Sequence, residues 1–212
     1  MVNFLKNLLL PAVLLIGLPL AGALCKEENL SFYLQFPPKT GFVPHAPFSV
    51  PVFCIIALFI VITVFPFVRR AFQFSKQDQT TPGVAACPFP WWGYVSLFFL
   101  VLFWILAWTR FSWFSALQPH TFFPLWVSFI VLVNALVYKR GGSAPLLSGP
   151  VGFAGLFAAS AAFWWFFEYL NRFIQNWYYT GSEYPATEYF LLATLSFSTV
   201  LPAVRSIRAL LM

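Results

Sequence analysis

Hydrophobic residues in this chain occur in long uninterrupted runs rather than in the one-faced patterns of soluble helices. Several runs extend about 18 residues or more without a charge, the length that an α-helix needs to cross roughly 30 Å of hydrocarbon. The pattern therefore predicts an all-α fold, a polytopic membrane helix bundle of about six transmembrane helices, in one domain covering residues 1–212. The predicted helices are residues 4–24, 50–68, 91–109, 121–138, 150–178 and 187–204.

The first hydrophobic segment has a second interpretation. Lys6, a leucine-rich stretch and the small residues Ala21-Gly22-Ala23 also match a secretory signal peptide with its cleavage site. We expect an uncleaved helix, because the apolar run is longer than most signal peptides carry. Cleavage would leave five transmembrane helices and would not change the orientation of the others.

The composition supports the membrane assignment and excludes a soluble fold. Hydrophobic residues make up 60% of the chain and charged residues only 8%, whereas soluble domains are about one quarter charged. The net charge of +6 does not indicate nucleic-acid binding, because the basic residues stand singly or in pairs beside the hydrophobic runs and form no basic stripe. The predicted partners are therefore membrane lipids, and no nucleic acid.

The positions of the basic residues predict the orientation. Positive charge collects on the cytoplasmic side of membrane proteins. In the six-helix arrangement eight basic residues share one side: Lys6, Arg69, Arg70, Lys76, Lys139, Arg140, Arg205 and Arg208. We therefore expect a multi-pass protein of the cell (inner) membrane with both termini inside, a long proline-rich outer loop at residues 25–49 and an inner loop at residues 71–90.

Polar residues near the end of the fifth predicted helix point to a functional site. Five of them are spaced i, i+3, i+4, i+7 and i+8, which places them on one face of a continuous helix. These residues are Glu168, Asn171, Arg172, Gln175 and Asn176. Because a charge near the bilayer centre is costly, this face is expected to contact protein or water rather than lipid.

Two interpretations of this polar face remain open. In one, Glu168 and Arg172 neutralise each other and the amides hold helices together. In the other, the face lines a cavity that opens to the outer side, with Glu168 as a catalytic proton donor and Arg172 as its partner or an anion anchor.

Three further residues near the predicted outer interface are candidates for the same cavity. Arg110 and His120 are candidate ligand-binding residues, and Glu188 is a candidate second catalytic acid. His120 also fits an interfacial hydrogen-bonding role, and Glu188 fits a residue that complements a helix dipole. The sequence predicts no metal site and no cofactor, because it has only two histidines and no phosphate-binding glycine loop.

The last two predicted helices resemble the lycopene (carotenoid) cyclase domain of the small membrane type. The similar features are the acid-bearing helix with Glu168, the end Trp177-Tyr178-Tyr179, and the stretch from Pro185 to Phe190. The resemblance covers about forty residues. It implies cofactor-free cyclisation in which a carboxylic acid protonates an alkene, and Glu188 matches the second acid of the family motif. Thr187 stands where that motif has its first acid.

Two classes of function follow from these observations. The first is binding or modification of an apolar lipid or isoprenoid by acid–base chemistry at an outer-side cavity. The second is a non-catalytic integral subunit or scaffold, whose polar stripe packs against a membrane protein partner. Whether the protein is an enzyme is left undecided by the sequence.

Overall fold

The computed structural model describes residues 2–38, 41–44, 47–77, 87–179 and 184–212, and within these ranges the regular structure is entirely helical. The chain forms two compact units. One unit combines Met1–Phe42 with Ala86–Met212, and the other consists of Val43–Ala85. The prediction of an all-α fold is confirmed.

Each of the six predicted hydrophobic segments contains a helix. The helices are α1 (Val2–Cys25), α2 (Leu30–Leu34), α3 (Val50–Gln77), α4 (Trp91–Trp108), α5 (Phe122–Gly141), α6 (Pro145–Ser148), α7 (Pro150–Ile174), α8 (Ala186–Ser198) and α9 (Val200–Leu211). Helix α3 extends to Gln77, nine residues beyond the predicted end at residue 68 and into the predicted inner loop. Helix α2 is an additional short helix within the predicted outer loop.

Five spans in the described ranges are long and apolar enough to cross a membrane: Val50–Arg70, Trp91–Trp108, Gln118–Gly141, Pro150–Ile174 and Ala186–Leu211. The first helix contributes a shorter apolar stretch, Val13–Cys25. The protein is therefore an integral multi-pass membrane protein. Large apolar side chains such as Phe98 and Trp104 of α4 are exposed on the helix surface, and these side chains contact membrane lipids.

The larger unit is a bundle in which α4 packs on α5, α9 packs on α5 and α7, and α7 packs on α8. Its core centres on Ile130, Phe153 and Ala203. Gly93 allows the close approach of α4 to α5, because a Cβ atom at this position would lie 2.8 Å from the Cβ of Ala135. Such small residues let the backbones of membrane helices pack closely.

The last hydrophobic span is divided into α8 and α9 at Thr199. Pro202 lacks an N–H and its ring clashes with the carbonyl four residues earlier, which interrupts a helix. Ser160 of α7 satisfies the groups freed by this break. Its hydroxyl donates to the carbonyl of Phe197 at 2.6 Å and accepts from the amide of Leu201 at 3.1 Å. The break is thus held in place by the neighbouring helix.

Helix α7 ends at Ile174, four residues before the predicted end at residue 178. Gln175 has a left-handed backbone with φ of 56°, and its amide donates to the carbonyl of Asn171 at 2.6 Å. A left-handed residue of this kind closes a helix. The predicted five-residue polar face was therefore wrong for its last two members, because Gln175 and Asn176 lie beyond the helix and do not continue its periodicity.

Candidate functional site

The C-terminal part of α7 carries three buried polar side chains, which we call the α7 cluster: Glu168, Asn171 and Arg172. Their exposed fractions are 1%, 1% and 2%. Their spacing along one helix places them on neighbouring positions of the same face. The prediction that these three residues avoid lipid is confirmed.

Glu168 is held by two aromatic hydrogen-bond donors. Its Oε1 atom accepts from the indole Nε1 of Trp177 at 2.9 Å and from the hydroxyl of Tyr179 at 2.6 Å. Both donors come from the segment that follows the left-handed turn at Gln175. Because the chain reverses there, Trp177 and Tyr179 lie against the helix that they have just left.

Arg172 is bound by the segment that follows α1. Its guanidinium donates to the carbonyl of Phe32 and, at 2.8 Å, to the carbonyl of Gln35. The same guanidinium lies over the Phe32 ring, 5.1 Å from its centroid, a cation–π geometry. The Nε–H group of Arg172 is buried and donates to no acceptor among the described residues.

The two charged residues of the α7 cluster therefore have different partners. The side chain of Glu168 binds an indole and a phenol, while that of Arg172 binds backbone carbonyls. Mutual neutralisation through a direct ion pair, one of the two interpretations of the sequence, does not describe their contacts.

Asn171 caps the end of α7. Its Oδ1 atom accepts from the amides of Asn176 at 2.9 Å and Trp177 at 3.4 Å, and its Nδ2 donates to the carbonyl of Trp177 at 2.7 Å. These bonds fix the reversal that brings the aromatic segment back to Glu168. Asn171 thus has a positioning role.

A cavity of about 500 Å³ lies beside this cluster. Its walls come from the turn before α5, the start of α5, the segment after α7, and α8. The residues that line it are Pro119, His120, Phe122, Phe123, Pro124, Tyr179, Tyr184, Tyr189, Leu192, Ala193, Leu195, Ser196 and Phe197. The lining is largely aromatic and aliphatic, with hydroxyl groups and one imidazole as its polar members.

Tyr179 connects the buried acid to the cavity. It is one of the lining residues, and its hydroxyl donates to Glu168. Burial, together with the hydrogen bond to Glu168, raises the pKa of the Tyr179 hydroxyl. The phenol therefore stays protonated over the whole physiological range.

The structure brings together some of the predicted site residues and leaves others apart. His120 lines the cavity, and its ring lies 6.4 Å from that of Tyr184. Arg110 is exposed after the end of α4, Glu188 is exposed in the first turn of α8, and Asn176 is exposed beyond α7. Gln175 contributes its backbone to the helix end. None of these last four side chains has a described contact with Glu168.

The sequence-based prediction missed the tyrosines. Trp177 and Tyr179 have the composition of an interfacial aromatic belt and, like Tyr189, were named only as part of the resemblance, while Tyr184 was assigned no role. A useful indication would have been the buried acid itself, because a carboxylate inside a bundle requires nearby donors and the following segment supplies an indole and a phenol.

Comparison with known proteins adds no assignment to this geometry. No protein-family model matches the chain, and neither the curated proteins nor the solved structures include a match to it. Within the described residues, no group of three or more His, Cys, Asp or Glu side chains could hold a metal ion.

Proposed function

We propose that this protein binds an apolar lipid of the isoprenoid type in the cavity beside α8, with Glu168 and Tyr179 as its polar anchor. One observation carries the proposal: a carboxylate that is 1% exposed is linked by a 2.6 Å hydrogen bond to a residue of the cavity wall. Perturbed polar groups that converge on an apolar pocket are typical of binding and active sites. We place the protein in the cell (inner) membrane with both termini inside, as the basic residues predict.

The dimensions and the walls of the cavity support a lipid ligand. Its volume of about 500 Å³ falls within the range of small-molecule sites, about 300–1,000 Å³. Two of its walls, α5 and α8, belong to membrane-spanning segments. A ligand could therefore reach the cavity from the bilayer and leave its remaining chain among the lipids.

The hydrogen bonds of Glu168 suit a proton acceptor. Both described donors, the Trp177 indole and the Tyr179 hydroxyl, direct a hydrogen at the same carboxyl oxygen. A ligand proton could pass to the Tyr179 oxygen while the phenolic proton of Tyr179 moves to Glu168, which leaves a deprotonated ligand, a neutral tyrosine and a protonated acid. The acid role implied by the resemblance to lycopene cyclases would require the reverse transfer. Contacts among Glu168, Trp177 and Tyr179 support the part of that resemblance that involves the aromatic end.

A scaffold function is the second candidate. Gly152 and Gly155 of α7 are exposed, and a Cβ atom at either position would have no neighbour within 4 Å. A helix of a partner membrane protein could pack closely on this face. The polar α7 cluster would take no part in such an interface, because its hydrogen bonds are made within the chain.

Native mass spectrometry of protein extracted gently from its own membranes tests the proposal. We expect a retained lipid mass in the wild type, and at least a tenfold lower occupancy in Glu168→Gln and in Ala193→Leu, which fills the cavity at a residue that is 9% exposed. Glu188→Gln and Ala162→Leu are the matched controls, because both change exposed positions. A stoichiometric protein partner without any retained lipid would favour the scaffold and contradict the proposal.

A further inference from the structure

The cavity wall is uncharged in its described part. None of the described lining residues is Lys, Arg, Asp or Glu, and His120 is the one described lining side chain that can become cationic. A phosphate or another ionised headgroup buried here would lack a compensating charge, and burial of an uncompensated charge is strongly unfavourable. The chemistry of the wall therefore favours a neutral ligand.

The hydroxyl of Tyr179 determines which neutral group fits. A phenol has one proton to donate and an oxygen that accepts. In this structure the proton is donated to Glu168, and the oxygen also has a side-chain hydrogen bond from Trp164, so toward a ligand the oxygen offers its remaining lone pair as an acceptor. Donation to a carboxylate also increases the electron density on the phenol oxygen, which strengthens it as an acceptor.

Building on the proposed function, we infer that the cavity selects a lipid with a free hydroxyl group, which donates a hydrogen bond to Tyr179. A carbonyl or ether oxygen would need a donor, whereas the single proton of Tyr179 is engaged by Glu168. A bare hydrocarbon fits the apolar wall but makes no hydrogen bond there. The group that Tyr179 favours is thus the hydroxyl of a long-chain or ring-bearing alcohol or phenol, ahead of a lipid phosphate, a ketone or a hydrocarbon.

Four matched probes test this inference: geranylgeraniol, its methyl ether, its diphosphate and the corresponding hydrocarbon. Binding of each probe to the full-length protein in detergent is measured by native mass spectrometry, at a mildly alkaline pH where histidine is ordinarily neutral. We expect the alcohol to bind about tenfold more tightly than the ether, the effect of roughly one hydrogen bond. The diphosphate is expected to bind least.

Tyr179→Phe should abolish the preference for the alcohol and leave the affinity for the hydrocarbon unchanged. Tyr178→Phe is the matched control, because this neighbouring tyrosine has a similar exposure to Tyr179 (43% against 54%) but does not line the cavity. If Tyr179→Phe fails to fold, Glu168→Gln provides the second test, because an amide oxygen is a weaker acceptor and the ratio of alcohol to ether affinity should fall.

The outcomes separate this inference from the proposed function. Equal affinities for the alcohol and the ether would overturn the selection of a hydroxyl group, and so would a higher affinity for the diphosphate than for the alcohol. Lipid binding itself would stand in either case. Binding of none of the four probes, together with no lipid retained from the native membrane, would overturn the proposed function itself. If Tyr179→Phe still prefers the alcohol, another residue forms the hydrogen bond with the ligand hydroxyl, contrary to the inference.

Discussion

Two buried polar groups within the larger unit invite comparison. The α7 cluster consists of Glu168, Asn171 and Arg172. The second group, which we call the α5–α9 cluster, consists of Asn134 and Ser206, both with an exposed fraction of 0%. Both clusters lie on membrane-spanning helices, where polar side chains are rare and require partners.

The α5–α9 cluster is neutral and joins helices only. Nδ2 of Asn134 donates to the carbonyl of Ile130 and to the hydroxyl of Ser206, each at 2.8 Å, while its Oδ1 accepts from the amide of Leu146 at 3.0 Å. One side chain thus ties α5 to α9 and to α6. Its hydrogen-bonding capacity is used inside the bundle, as expected of a structural contact.

The α7 cluster differs in charge and in the origin of its partners. Its partners come from segments outside the long helices, namely the aromatic segment after Gln175 and the segment around α2. One of them, Tyr179, also lines a cavity. The two clusters together show that a polar residue within a membrane span does not by itself indicate function. The informative features are an ionisable group and its contact with a cavity wall.

The largest effect on stability is expected in the α5–α9 cluster. Asn134→Ala removes two contacts between helices and leaves the amide of Leu146 without its acceptor. With about 0.6–2 kcal/mol for each such bond in membrane proteins, we expect a loss on the order of 2 kcal/mol in the free energy of unfolding. Unfolding by SDS in mixed micelles measures it.

Ser198→Ala is the control for this change. Ser198 is half-buried and its described hydrogen bond stays within its own helix, to the carbonyl of Leu195. The loss in the free energy of unfolding of Ser198→Ala should therefore be near zero. The comparison of the two clusters also requires that Asn134→Ala keep its retained lipid per folded molecule. Loss of the lipid in a folded Asn134→Ala protein would remove the distinction drawn between the clusters.

A smaller and local effect is expected from Arg172. Arg172→Gln removes the charge-assisted bonds to Phe32 and Gln35 and the contact with the Phe32 ring. We expect amide hydrogen exchange in residues 30–36 to become about tenfold faster, because this segment would open more easily. Exchange in α5 and α9 should not change.

Arg110→Gln serves as the matched control, since Arg110 is exposed and has no described hydrogen bond to this segment. Unchanged exchange in Arg172→Gln would mean that aromatic contacts alone hold the segment. Those contacts include the stacking of Tyr33 on Phe173, with ring centroids 4.8 Å apart.

The smallest effect concerns the titration of Tyr179. Its pKa is raised by burial and by the hydrogen bond to Glu168, so the folded protein holds the phenolic proton more tightly than the unfolded chain does. The resulting stabilisation is fully present below the unfolded value of about 10 and is lost only as the pH rises through the higher folded value. We expect Tyr179 to ionise later than an ordinary tyrosine.

The difference in tyrosinate absorbance between the wild type and Tyr179→Phe during alkaline titration isolates this group. The same difference, measured in the Glu168→Gln background with and without Tyr179→Phe, should have its midpoint at a lower pH. The amide carries no negative charge to oppose ionisation of the phenol. If the midpoint of the wild-type difference curve lies at the ordinary tyrosine pKa, Tyr179 is not linked to Glu168.

The helices and the buried part of α7 could be predicted from the sequence because they depend on local properties. A membrane-spanning helix needs only a sufficiently long apolar run, and Glu168, Asn171 and Arg172 share a face because residues three and four apart are neighbours on a helix. His120 could be named as a candidate because an imidazole can both donate and accept hydrogen bonds. Its position in a cavity wall could not be derived from the sequence.

The remaining features depend on contacts between distant parts of the chain. The left-handed turn at Gln175 ends the helix because Asn171 caps it, and this turn determines that Trp177 and Tyr179 return to Glu168 instead of anchoring the helix in the headgroup region. No periodic pattern contains that reversal.

The sequence by itself determined that this protein is a helical membrane protein with a polar, lipid-avoiding face on one helix, because the bilayer imposes helix length and polarity residue by residue. Only the tertiary structure decided which partners the charges of that face acquire. Arg172 binds carbonyls more than 130 residues earlier in the chain, and Glu168 faces a cavity wall through Tyr179, because packing of non-adjacent segments rather than local spacing places those groups.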